Sequence, residues 1–184
     1  IDMMTEELQS LLATERAAVE RAELLNAMTS HIRESLSFEY ILNATVSDAR
    51  NALDVDRVVV YVFDDPDWLG KVMYESVERR WPSALGMSYS LVGLSDHAIR
   101  LFQQGRVEAF NNLGHGTTTD DTQLDQWQQL EVQASLTAPL LLGGELYGLL
   151  VAHQCAIARE WSESEIEFFR QLAVQVGYAL DQAQ

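Results

Sequence analysis

The sequence predicts an α+β fold: a central antiparallel β-sheet with the N- and C-terminal helices packed on one of its faces. Three observations lead there. An Ala-, Leu- and Glu-rich stretch without Gly or Pro opens the chain, and two pairs of apolar, β-branched runs joined by short turns fill its middle. A capped, heptad-spaced helix closes it. The order helix, hairpin, crossover, hairpin, helix gives an antiparallel sheet with helices largely segregated to one side. The 184 residues, 47% apolar and 22% charged, suit one globular domain of ordinary size.

From Thr5 to about Ser30, residues Leu8, Leu11, Leu12, Ala18, Val19, Ala22, Leu25 and Ile32 recur at three- and four-residue steps, the stripe of an amphipathic helix. The polar face is expected to carry Glu6, Glu7, Glu15, Arg16, Glu20, Arg21 and Glu23. Residues 1–35 are therefore expected to be helical, and 36–184 to form the domain proper. Ser37 has the chemistry of an N-cap for a second helix to about Leu53, with Ile41, Leu42, Thr45, Val46 and Ala49 inward.

At Asp56 the character switches. Val58-Val59-Val60-Tyr61-Val62-Phe63 is β-branched and aromatic, and Asp64-Asp65-Pro66-Asp67 ends it with turn residues, so a buried strand is expected. A second strand, about Lys71 to Glu78, pairs with it across that turn. An irregular region with Trp81, Pro82 and Gly86 follows, then a helix near Ser95 to Gln104, a short strand at Val107 to Phe110 and a loop over Asn111 to Asp121. Asp120 or Asp121 caps a third helix through about Leu130. Ala134 to Leu142 and Glu145 to Gln154 form a hairpin around Gly143-Gly144. Ser162, with Glu165 three residues on, starts the last helix, 162–183. There Ile166, Phe169, Ala173, Val176 and Leu180 fall at heptad spacing.

Composition removes several classes. The chain carries 28 acids against 12 bases, a net charge of −16 with Lys71 as its one lysine. Such a surface repels phosphate backbones and anionic lipid heads, which argues against nucleic-acid or membrane-surface partners. No apolar run reaches the ~18 residues of a membrane span, and the start at Ile1 has no signal-peptide character. The lone cysteine, Cys155, can form neither an internal disulfide nor a cysteine-rich metal site. A reducing, cytoplasmic setting is expected.

No nucleophile motif or phosphate loop is visible. His31, His97, His115 and His153 are widely separated, with no metal-ligand spacing, so no metal is expected. Gly143-Gly144 is followed by a strand, which excludes a phosphate cradle. Cys155 lies two residues from His153, but on a strand such side chains share a face and pack more often than they react. His153 itself, at the end of an apolar strand, is either a satisfied core residue or a donor into a ligand pocket. Trp81, Trp127 and Tyr89 fit the lining of a flat aromatic pocket, and fit core equally well.

Several strings taken together resemble the GAF domains of cyanobacteriochromes and phytochromes. They are Arg57 to Phe63, then Trp81-Pro82-Ser83, Gln104-Gly105-Arg106-Val107, and Gly148-Leu149-Leu150-Val151-Ala152-His153-Gln154-Cys155 followed by Arg159-Glu160-Trp161. They keep the family's order from about Asp54 to Ala183, and Ala-His-Gln-Cys is the most specific. The resemblance implies a GAF fold and a linear tetrapyrrole bound through a thioether to a Cys that is followed by His. Counted back from Val132, those positions fall on Thr122 and Gln123. A hydroxyl is a far poorer nucleophile than a thiolate, and an amide does not titrate. The family's acid-bearing loop falls near Tyr89 to Gly93, which reads Tyr-Ser-Leu-Val-Gly. His153 resembles a family chromophore contact, and residues 1–35 resemble the helical linkers, or signalling helices, that join such domains in tandem.

The expectation is a GAF domain without covalent bilin that relays signals or dimerises inside a multidomain photoreceptor, histidine kinase or chemotaxis-type transducer. The alternative is a sensor that holds a bilin or another small ligand non-covalently. GAF domains that reduce oxidised methionine use several cysteines, and those that bind cyclic nucleotides carry an Asn-Lys-Phe-Asp-Glu string; this chain has neither. A parallel homodimer is expected through the terminal helices, with Leu11 and Leu25 from the first and Ile166, Phe169, Ala173, Val176 and Leu180 from the last.

Overall fold

The computed structural model describes residues 2–64, 68–90, 96–113 and 121–184, the side chains of 121–123 excepted. Its elements are α1 (Asp2–Leu53), β1 (Arg57–Asp64), β2 (Leu69–Val77), β3 (Ser88–Ser90), α2 (Asp96–Gln103), β4 (Glu108–Phe110), α3 (Asp121–Gln129), β5 (Val132–Leu142), β6 (Glu145–Cys155) and α4 (Glu163–Gln182). By compactness the chain divides into 1–38 and 39–184.

The first helix is continuous where two were expected. Nothing between residues 2 and 53 is Gly or Pro, and Ser37 is only mildly unfavourable inside a helix, so its cap chemistry goes unused. The real stop is Asp54, in the left-handed region at φ 51°. The Val55 amide returns 3.3 Å to the Arg50 carbonyl, the six-to-one closure of a Schellman motif. In residues 2–38 the apolar side chains face solvent: Leu11 is 67% exposed and Leu25 63%. Glu15, expected on the polar face, lies three or four residues from Leu11, Leu12, Ala18 and Val19. That spacing puts it in the middle of the apolar stripe.

In the second unit six antiparallel strands run in the order β3-β2-β1-β6-β5-β4. β1 and β6 are central, which is why both are apolar on two faces. The hairpin turn has Gly143 at φ 58° and Gly144 at φ 83°, values that a two-residue type I′ turn requires at both positions. β3 is an addition to the expected set, a short edge strand pairing Ser88, Tyr89 and Ser90 with β2.

Strand alternation sorts the core into two layers. On one face Val59, Leu149 and Val151 cluster with Phe102 of α2, Trp127 of α3, and Ala84. On the other lie Val58, Val60, Leu136, Ala138, Leu150 and Ala152, all at most 5% exposed. The end of α1 reaches that second face, where Arg50 Nε donates to Ser76 Oγ at 2.8 Å. The expected segregation therefore holds for the terminal helices only. The crossover helices α2 and α3 cover the opposite face because the β2–β5 connection carries its own apolar residues, among them Ile99, Phe102 and Trp127.

The last helix begins as expected, with Ser162 and Glu165 exchanging both bonds of a capping box. Its heptad residues behave differently. Phe169, Ala173, Val176 and Leu180 are 0–5% exposed inside the chain, and α4 packs against β5. A Cβ on Gly177 would run into the Leu141 carbonyl, so the helix and strand are in backbone contact. These four side chains thus have no surface left for a second copy, and Ile166 is half-buried. The outward apolar residues of α4 are instead Phe168, Val174 and Tyr178. Among the described residues, no helix is long and apolar enough to cross a membrane.

Candidate functional site

Arg57 opens β1 and is fully buried, an unusual place for a guanidinium. Register explains its company. Arg57 lies opposite His153 on β6 and Val77 on β2, and Cys155 is two residues from His153, so all point to the face covered by α2 and α3. Nη1 donates to His153 Nδ1 at 3.2 Å and contacts Cys155 Sγ at 3.6 Å. Nη2 donates to the Pro82 carbonyl at 2.5 Å and the Leu130 carbonyl at 3.2 Å. Glu75 stands 3.8 Å from Nε. One side chain therefore ties the central strands to the connection carrying Trp81 and to the end of the helix carrying Trp127.

The electrostatics follow from burial. His153 is pushed down to about 3, first by loss of solvent and then by the adjacent Arg57 charge. It is a neutral imidazole whose Nδ1 accepts from Arg57, which leaves Nε2 to carry the proton. The Cys155 thiol is pushed up to about 11, chiefly by burial, with Arg57 opposing. A thiol held protonated is neither a nucleophile nor a metal ligand at neutral pH. Glu75 braces the same region from β2, accepting from Ser83 Oγ at 2.6 Å and from the Ala84 amide at 2.5 Å.

Of the residues singled out from sequence, His153 is 1% and Trp127 7% exposed. Trp127 stacks at a tilt on Phe110, 5.9 Å between ring centres. Trp81 is half-buried with Arg80 over its ring, and its Nε1 is buried with no hydrogen-bond partner among the described residues. Tyr89 packs on the same cluster from β3. His153, Trp127 and Tyr89 thus sit on one side of the sheet, and Trp81 precedes Pro82, whose carbonyl accepts from Arg57. Thr122 and Gln123 fall on the first turn of α3, and their side chains lie outside the described residues, as do residues 91–93 of the acid-free loop. A separate cleft of about 640 Å³ opens near the β5–β6 turn, walled by Phe63, Trp68, Leu146 and Tyr147. None of His153, Trp127, Tyr89 and Trp81 lines it. Among the described residues no group of three or more His, Cys, Asp or Glu could hold a metal.

Sequence reasoning missed two arginines. The sequence offers Arg57 only as the first residue of the string Arg57 to Phe63. Arg159 sits after β6 and binds four groups, one each from α1, β6 and α4 and one from Asp54 just past α1. Its Nη1 donates to the Asp54 carbonyl and to Gln154 Oε1, both at 3.1 Å. Its Nη2 donates to the Leu53 carbonyl at 2.7 Å and pairs with Glu165. Its guanidinium also lies 4.7 Å over the Trp161 ring. A cation on the last carbonyls of α1 and a carboxylate in the first turn of α4 each complement a helix dipole. Asp56 links this joint to the first cluster, accepting from Gln154 Nε2 at 2.9 Å and from the Cys155 amide at 2.8 Å. The available signal was a single Arg just after a strand and before a capping box.

Residues 37–180 match the family model described as GAF domain. The whole chain is similar, at 34% identity, to the Putative methyl-accepting chemotaxis protein sll0041 of Synechocystis sp., but spans only 19% of that protein's length. The blue-light absorbing form of the Thermosynechococcus elongatus PixJ GAF domain matches 82% of this chain and 88% of its own, at 33% identity and TM-score 0.77. A phycocyanobilin-bound GAF domain from a cyanobacterial phytochrome matches 88% and 93%, at 31% identity and TM-score 0.70.

Proposed function

Because the chain belongs to the GAF domain family, we propose that it is a non-catalytic signal-relay and dimerisation domain carrying no covalent bilin. It would work within a longer cytoplasmic photoreceptor, sensor histidine kinase or chemotaxis-type transducer. The carrying observation is the attachment chemistry. Thr122 and Gln123 stand where a Cys-His pair is expected, and the only cysteine, Cys155, is a buried, protonated thiol facing Arg57. The Arg159 joint supports the relay, since it fastens both terminal helices at one point. The exposed stripe of α1 supports pairing with a second copy.

The test is to produce the chain in cells that make bilin, denature it in acid and inspect it under zinc. No fluorescent band is expected. A band that survives denaturation overturns the proposal, and its loss in Cys155→Ser would locate the bond.

A second reading is a sensor that holds a bilin or other small ligand non-covalently around His153, Trp127, Tyr89 and Trp81. Trp81 Nε1, which has no partner among the described residues, and the similarity to a phycocyanobilin-bound domain favour it. Visible absorbance that co-purifies with native protein and is lost on denaturation would establish it.

A further inference from the structure

The exposed stripe of α1 has a defect at its centre. Positions 4, 8, 11, 15, 18, 22, 25, 29, 32 and 36 alternate four- and three-residue steps, the 3.5-residue repeat of helices that pair with helices. They run for about 50 Å. Met4, Leu8, Leu11, Leu25, Ile32 and Leu36 are 56–77% exposed. A repeat longer than three or four heptads marks a coiled coil, and an apolar seam this long rarely stays open in solution. A second copy of this chain fits it because the repeat is complementary to itself.

The middle of the seam is different: Glu15, Ala18 and Ala22, with Thr29 the one other polar residue on the seam. The i±3 and i±4 neighbours of Glu15 are Leu11, Leu12, Ala18 and Val19, so no cation on its own helix reaches it. In a parallel, in-register pair two Glu15 carboxylates face each other between alanines that bury little area.

We propose that α1 pairs with α1 of a second copy as a parallel coil of two apolar blocks, 4–11 and 25–36, separated by a repulsive Glu15 layer that keeps the pairing weak and the centre able to splay. This rests on the dimerisation reading above and deepens it.

The test is sedimentation of the 184-residue chain at neutral pH and low salt, with three variants. Glu15→Gln removes the charge, Glu15→Leu completes the seam, and Glu20→Gln removes the same charge from the far side of the helix. Glu15→Gln should tighten the dimer roughly five- to tenfold, the ratio for two unit charges about 4 Å apart in a medium close to bulk water. Glu15→Leu should tighten it further, and Glu20→Gln less than twofold. Leu25→Cys should oxidise to a linked dimer. If Glu15→Gln and Glu20→Gln behave alike, or Leu25→Cys does not cross-link while dimer is present, the acidic layer or the parallel register is wrong and dimerisation stands. If every variant stays monomeric at high concentration, dimerisation itself fails.

Discussion

Replacing Arg57 by Met keeps the apolar stem and removes the guanidinium. In the folded chain that strips the Pro82 carbonyl and His153 Nδ1 of their donor, leaves the Leu130 carbonyl only the weak Cys155 thiol donor 3.6 Å away, and leaves Glu75, 7% exposed, without its cation. Each buried acceptor left unpaired costs about 1–3 kcal/mol. Breaking a buried pair by removing one partner costs about 3–5 kcal/mol. One effect limits the loss: Glu75 keeps its bonds to Ser83 and Ala84. The acceptors and the ion pair lose the same guanidinium, so their costs overlap instead of adding, and the net expectation is a destabilisation of about 3–5 kcal/mol, the range for one broken buried pair. At 2–4 °C per kcal/mol for a chain of this size, the midpoint falls by roughly 6–20 °C. Urea unfolding followed by tryptophan fluorescence reads it directly. Arg57→Lys, which keeps a charge but not the fork, should lie between the two, and Glu75→Gln added to Arg57→Met should recover part of the loss. A loss below about 1 kcal/mol at an unchanged denaturant slope would refute the reasoning, because it would mean the guanidinium holds nothing together.

Three further outcomes follow from the same geometry. His153 has its proton affinity depressed on folding, so the unfolded chain binds the extra proton first and stability falls as pH drops from 6.5 towards about 3. The slope is about 1 kcal/mol per pH unit, and a pH series of unfolding midpoints should be shallower for His153→Gln in that window than for the parent. Cys155 should resist alkylation in native protein at pH 8 and react at once in urea; fast native labelling would contradict the burial of its thiol. Gly148→Ala should destabilise by about 1–3 kcal/mol, since its Cβ would strike the Tyr61 carbonyl of the neighbouring strand, and equal thermal midpoints would show that β1 and β6 can part there freely.

The parts of this fold that announce themselves locally are visible in the sequence. β1 is a run of β-branched residues closed by Asp. The β5–β6 turn is a Gly pair in an apolar run, and α4 opens with both halves of a capping box. Features that depend on what lies opposite are not visible. Ser37 has the same chemistry inside a helix as at its end, so only the uninterrupted backbone shows that α1 passes through it. Heptad spacing in α4 states that one face is apolar and not what covers it, and the covering partner turned out to be β5. β3 has three residues and one neighbour, too little for a pattern. Arg57 becomes a site residue only through the register that sets it across from His153, a relation between positions 96 residues apart.

The Arg159 joint has a consequence for how such a chain can be assembled. A single nitrogen, Nη2, binds both the carbonyl of the last residue of α1 and the carboxylate in the first turn of α4. The 109 residues between Leu53 and Glu163 therefore leave from one spot and return to it. In the grammar of the polypeptide the whole sheet is a parenthesis: a bracketed insertion whose two marks stand side by side. Domains bracketed in this way can be repeated, exchanged or dropped from a longer chain with only a short bridge needed to close the gap.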